Sequence, residues 1–186
     1  MELLLTLIGA CVIALALTWA RSRFADFPVQ RPEDYAGATP RFDIRETLSG
    51  PLDCEGVIFG PTGRVVSRFT ARMEGRWDGN EGTLHESFRY DSGSTQNRLW
   101  QLTLGADGHI CARAADVIGD GAGVQSGTAV QLRYRIRLPD SAGGHVLDTV
   151  DWMYLVADGA VINRSQFRKF GVKVAELIAT VRKAQN

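Results

Sequence analysis

The 186-residue chain is short of the residues that carry most metal, redox and nucleophilic chemistry: three cysteines, three histidines and, among 21 basic residues, three lysines. So few cysteines exclude a disulfide scaffold. His85, His109 and His145 stand singly on the polar faces of three separate segments, at spacings that make no shared metal site, so no metal and no other cofactor is expected. The charge has no dominant sign, 21 basic against 21 acidic, which argues against nucleic acid as the main partner. There is no G-x-S-x-G, no Walker A loop and no G-x-G-x-x-G between a strand and a helix. No Ser/His/Asp or Cys/His set stands out, and repeats are missing. What remains is one compact domain with an appendage.

The appendage is an uncharged run of 18 residues, 3–20, bounded by Glu2 and Arg21. At about 1.5 Å per residue it spans about 27 Å, close to the roughly 30 Å of a bilayer core. Trp19, Arg21 and Arg23 suit its interfacial end. A cleavable signal peptide normally opens on basic residues and ends at an A-x-A-like site, whereas this chain opens on Met1-Glu2. The expectation is an uncleaved single-pass anchor over residues 1–23, with partnership to the membrane through 3–20. A buried core helix is the alternative. Ile8-Gly9-Ala10-Cys11 looks like a lipoprotein processing box, but nine apolar residues follow Cys11, which counts against acylation. Arg21 and Arg23 place the following domain in the cytoplasm by the positive-inside rule.

Residues 24–41 hold three of the six prolines and read as a linker. Residues 42–48 fit a short amphipathic helix. From there to residue 186 turn clusters recur, as GPTG, DGNEG, DSGS, GADG, PDSAGG and ADGA, between segments of two-residue period. Phe69, Ala71 and Met73 alternate with Arg68, Arg72 and Arg76. Val130, Leu132, Tyr134 and Ile136 alternate with Arg133, Arg135 and Arg137. Eight strands are expected, near 51–59, 64–77, 83–90, 95–104, 109–116, 127–138, 145–156 and 160–167, and then a helix from 171 to 184 on Val174, Leu177, Ile178 and Val181. The fold class is therefore mainly β: an antiparallel, up-and-down, lipocalin-like barrel with a C-terminal helix. Such a barrel is just wide enough to hold one small ligand or to fill with side chains.

Polar residues on apolar faces are the candidates for chemistry. Glu86 shares a face with Leu84, Phe88 and Tyr90, and Arg98 with Trp100 and Leu102. The turn 91–94 sets Glu86 opposite Arg98, and buried charges are costly unless paired, so an internal ion pair is inferred. Asp151 lies in a segment apolar on both faces, and its direction stays open. Asn163, Arg164 and Lys169 follow it, either orienting a head group or fixing the last helix. The segment 116–123 is dense in glycine and reads as a portal loop or irregular crossing. Cys54 and Cys111 are a possible pair in an oxidising compartment. The outward arginines form two stripes, either solvated or facing anionic lipid.

In series, Gly75-x-Trp77-Asp78-Gly79, Glu86-x-Phe88-x-Tyr90-Asp91-x-Gly93, Arg98-x-Trp100, Asp116-Val117-x-Gly119, Asp151-Trp152-Met153-Tyr154, Asn163-Arg164 and Lys169-Phe170-Gly171 resemble the proteobacterial family called domain of unknown function 3833. The resemblance covers about residues 42–182. It implies an envelope protein, on the periplasmic side where Arg21 and Arg23 point the other way. It also implies an association with enzymes of membrane fatty acids, and with it a lipidic ligand.

The combined expectation is a membrane-tethered barrel that binds a fatty acid, lipid or other apolar small molecule. Glu86, Arg98, Trp100, Phe88, Tyr134 and Trp152 would contact it. The alternatives are an enzyme acting on a lipid, with Glu86 or Asp151 as general acid/base and Arg98 stabilising negative charge, and a non-enzymatic scaffold for a membrane complex.

Overall fold

The structure is a computed structural model describing residues 1–24 and 27–185, without the side chains of residues 21–24 and Ser141. The side chains of Arg21 and Arg23, and linker residues 25 and 26, thus lie outside the described residues. Helix α1, Glu2–Phe24, contains the apolar run, and over Glu2–Ala20 none of it is buried against the rest of the chain. By length and composition it can cross a bilayer.

Among the described residues ten strands follow: β1 Gly50–Phe59, β2 Val65–Asp78, β3 Glu81–Tyr90, β4 Thr95–Leu104, β5 His109–Arg113, β6 Gly121–Ser126, β7 Ala129–Arg137, β8 Val146–Leu155, β9 Val161–Lys169 and β10 Val172–Lys183. Each pairs antiparallel with its sequence neighbours, and β1 pairs with β10, so the sheet closes into a barrel. Alternation explains most of it. In β2, Phe69, Ala71 and Met73 are buried, while Arg68, Thr70 and Arg72 between them are exposed. Closure removes every free sheet edge.

The barrel has ten strands where the sequence pattern predicts eight. One added strand is β6, drawn from the glycine-dense connection. A Cβ on Gly123 would lie 2.3 Å from Leu132 Cδ2 and 2.4 Å from the Gln131 carbonyl oxygen. Only glycine admits β7 at that spacing, so the composition that disguises the strand is what permits it. The other is β10, which stands where a C-terminal helix is expected. Ala175, Glu176 and Leu177 are good helix formers, and a bulge between Lys173 and Ala175 breaks the two-residue period. Pairing with both β1 and β9 overrides that local preference. Without β10 two edges would stay open.

The short helix α2, Ile44–Thr47, forms as expected, with the Asp43 side chain accepting from the Arg45 backbone N–H. It lies across one end of the barrel. Phe42 N–H donates to the Gly127 carbonyl at 2.8 Å, Arg45 donates to Asn80 at 3.0 Å, and Lys183 donates to the Glu46 carbonyl at 3.0 Å. Gly75 gives the plug its seat, because the Leu48 carbonyl oxygen sits 1.7 Å from where a Cβ would be. Phe42, Ile44, Leu48, Leu52, Leu104 and Val161 are all buried at this end.

Residues 27–41, from the segment 24–41 read as a linker, pack on the outside of β7, β8 and β9. Two 3-10 turns, Phe27–Val29 and Pro32–Tyr35, set buried Phe27 and the Tyr35 ring against Trp152. Gln30 accepts from the hydroxyls of Tyr35 at 2.5 Å and Tyr154 at 2.6 Å. The segment acts as a strap.

Candidate functional site

Opposite the α2 plug the barrel is open, and its interior holds a cavity of about 360 Å³. Ile44 and Leu48 form its floor, Phe69, Met73, Leu132 and Phe88 its apolar wall, and Ile58, Leu138 and Pro139 its mouth. Into this wall project Glu86, Arg98, Asp116, Tyr134, Asp151 and Ser165. The volume lies in the range of small-molecule sites, where a few placed polar groups face an apolar lining.

Glu86 and Arg98 are opposed across the β3–β4 ladder, as the turn at 91–94 predicts. Their expected ion pair is not the contact that forms. Arg98 turns to Asp116, with Nε donating to Oδ1 at 3.0 Å and Nη2 lying 2.8 Å from Oδ2, the latter without hydrogen-bond alignment. Its guanidinium also stacks 4.5 Å from the centroid of Trp100 and 5.9 Å from that of Tyr134, and those two rings meet edge to face at 5.2 Å. The two mutually packed rings and the Asp116 carboxylate together hold the Arg98 guanidinium in place. Burial alone would lower the Arg98 pKa, but Tyr134, Glu86 and Asp116 outweigh it and raise it.

Glu86 is left with one carboxyl oxygen unpartnered: it is buried, and its Oε2 has no hydrogen bond. Burial pushes its carboxyl up to about 7, against the pull of Arg98 and Trp100 and with the help of Asp151 and Asp116. Asp151 also faces inward, which resolves the ambiguity of β8. Ser165 Oγ donates to its Oδ1 at 2.8 Å, and Asn163 Nδ2 donates to the same oxygen. Burial raises its pKa, while those donors and Arg98 oppose the rise. Inside the cavity the Arg98 guanidinium thus lies among three carboxyl groups, at least two of them favoured in the neutral form relative to water.

The other candidates sort by face. Phe88, Trp100 and Tyr134 line the cavity as expected. Trp152 does not: with Asp151 and Met153 pointing inward it must point outward, where Phe27, Ala129 and Tyr35 bury it. Both faces of β8 are apolar because one meets the cavity and the other meets the strap. Arg164 likewise lies outside, 4.9 Å from the Phe27 ring and ion-paired to Glu176 at 2.5 Å. Asn163 is the member of that group that reaches the cavity. Asp116 and Ser165 were missed as site residues. Asp116 sits outside any strand, at a place fixed by the Val117–Ile136 bridge, and no local pattern shows that.

All three cysteines are free. Cys54 lines the cavity and burial pushes its thiol up to about 12, whereas Cys111 is on the outer face beside Asp120. The wall of the barrel separates them, which excludes the pairing. Among the described residues no group of three or more His, Cys, Asp or Glu is arranged to hold a metal ion.

Residues 23–183 match the family described as protein of unknown function, DUF3833. The chain belongs to that family. Solved structures with the fold of this DUF3833 protein include Rv2717c from M. tuberculosis, with a TM-score of 0.56 at 14% identity over 80% of this chain and 99% of that one. They also include the S-type phycobiliprotein lyase CPES from Guillardia theta, with a TM-score of 0.54 at 6% identity over 77% of this chain and 92% of that one. At such identities the likeness is one of fold. No curated protein matches the DUF3833 chain in sequence.

Proposed function

We propose that this DUF3833 protein is a membrane-tethered barrel that binds an apolar small molecule of acyl-chain type, with the polar end of the ligand against Glu86. One observation carries the reading. A buried carboxyl oxygen without a partner faces a cavity of about 360 Å³ that is otherwise mostly apolar. An orphan acceptor in such a place is costly unless something donates to it. Of the two cations in the lining, Arg98 is already engaged by Asp116 and Arg137 is exposed at the mouth end. A fixed anion beside Glu86 would therefore meet three carboxyl groups and one occupied guanidinium. A hydroxyl, an amide or a protonated carboxyl meets an acceptor, so a lipid whose polar end donates a hydrogen bond fits best.

Titration of the full chain in bilayer nanodiscs with cis-parinaric acid tests this, reading energy transfer from tryptophan. Trp100 forms part of the cavity wall, so saturable one-to-one transfer that is reduced in Trp100→Phe is expected. Equal transfer in both proteins would place the probe in the bilayer alone and overturn the reading.

A second reading has one observation in its favour. A carboxyl held near neutrality within a cavity is poised for general acid/base work, with Asp151 on the same wall. Under that reading Glu86→Gln abolishes turnover of a bound lipid; release of that lipid unchanged by both proteins would reject it.

A further inference from the structure

The rim around the mouth differs from the rest of the surface. The β9–β10 hairpin ends in Phe170-Gly171, both with positive φ, 52° and 79°. Asn-Gly is the usual choice there, and a bulky side chain in the left-handed region is strained. Phe170 is nonetheless 93% exposed, so its ring does nothing for the core. Two more exposed apolar side chains stand at this end of the barrel: Val172 on the same hairpin, 66% exposed, and Val66 on the β1–β2 hairpin, 64% exposed. β1 pairs with β10 up to Phe59 opposite Glu176, so the two hairpins rise from neighbouring strands. Segments 60–68 and 168–173 contain Arg64, Arg68, Arg168, Lys169 and Lys173 and no acidic residue. Arg68 reaches Asp91 at 3.5 Å and Lys173 reaches Glu176 at 2.7 Å. At the plugged end Asp107 and Asp158 stand in the turns, Asp158 ion-paired with Arg182 at 3.1 Å.

We propose that these two hairpin tips are a bilayer-contact surface, with Phe170 inserted among anionic phospholipids and the barrel mouth seated on the membrane. An exposed aromatic ring ringed by cations matches the chemistry of an anionic interface, where the ring enters the acyl boundary and the cations meet the head groups. Ile58, Leu138 and Pro139 at the mouth then face the acyl region, and an apolar ligand passes between bilayer and cavity without crossing water. The purpose assigned to the contact rests on the ligand-binding reading; the contact itself rests on the rim.

The test uses the full chain in nanodiscs of phosphatidylglycerol with brominated acyl chains, which quench tryptophan only when it reaches them. Emission added by Phe170→Trp, over the unaltered chain, is expected to shift to the blue and to lose most of its intensity. Emission added by Ala106→Trp, in the β4–β5 turn at the plugged end, is expected to stay unquenched. Zwitterionic lipid should weaken the effect at 170. No quenching at 170, or equal quenching at both positions, overturns the proposal. Phe170→Asn separates this role from that of the turn: it suits the backbone, so it should raise the melting temperature and yet slow transfer of bound ligand to vesicles. Unchanged transfer counts against the proposal. If lipid extraction of the unaltered chain returns no ligand, the ligand-binding reading fails while the quenching result stands.

Discussion

The two ends of the barrel interior are built from the same alternating strands and come to opposite results. At one end α2 lies across the strand ends, and Phe42, Leu52, Leu104 and Val161 pack into a dry core. At the other the lining reaches a mouth at Ile58, Leu138 and Pro139, and the same inward positions enclose a cavity with Glu86, Arg98, Asp116 and Asp151 on its wall. Period-2 alternation decides which side chains point inward; what spans the end decides whether they touch.

The sharpest way to break that contrast is to remove matched side chains from each end. Phe42→Ala at the packed end should cost about 3–5 kcal/mol, because its neighbours cannot collapse into the gap. Trp152→Ala, under the strap, should cost a similar amount, about 3–5 kcal/mol, while leaving the bound ligand in place, since that ring lies outside. Urea unfolding of the full chain in mild detergent measures both. A loss of ligand from Trp152→Ala with the fold intact would return Trp152 to the site.

Glu86 comes next. Burial pushes its carboxyl from the ordinary 4.5 up to about 7 in the folded chain. The native state favours the neutral form, so its contribution is complete below pH 4.5 and is lost as the pH rises through 7, by about 3 kcal/mol in all. Asp151, also raised, adds in the same direction. Glu86→Gln should therefore flatten stability between pH 5 and 8 and leave the variant the more stable at pH 8. Destabilisation at pH 8 would mean that Glu86 works as an ion-pair partner of Arg98 after all. The smallest effect is expected at the hollow end, where Ile58→Ala at the mouth enlarges an existing cavity and should cost about 1–2 kcal/mol. A cost equal to that of Phe42→Ala would show that the two ends do not differ.

Much of this was legible in the sequence where a single physical cause acts. One buried and one solvated face gives β2 and β7 their alternation, and a tight turn at 91–94 sets Glu86 against Arg98. Where two causes overlap, the pattern loses its meaning. β8 is apolar on both faces because the strap covers the outer one, so Trp152 reads as a lining residue. β6 carries glycines because β7 approaches too closely for side chains. β10 has helical spacing, yet the barrel requires a strand there. Asp116 meets Arg98 through a chain crossing that only the closed barrel defines.

The most direct measurement is native mass spectrometry of the full chain released from detergent, with lipid extraction of the same sample. The expected result is one apolar molecule per chain, carrying a hydrogen-bond donor at its polar end and displaced when the cavity is filled by Leu132→Trp. An unliganded chain whose mass and stability are unmoved by added acyl lipids would contradict the account.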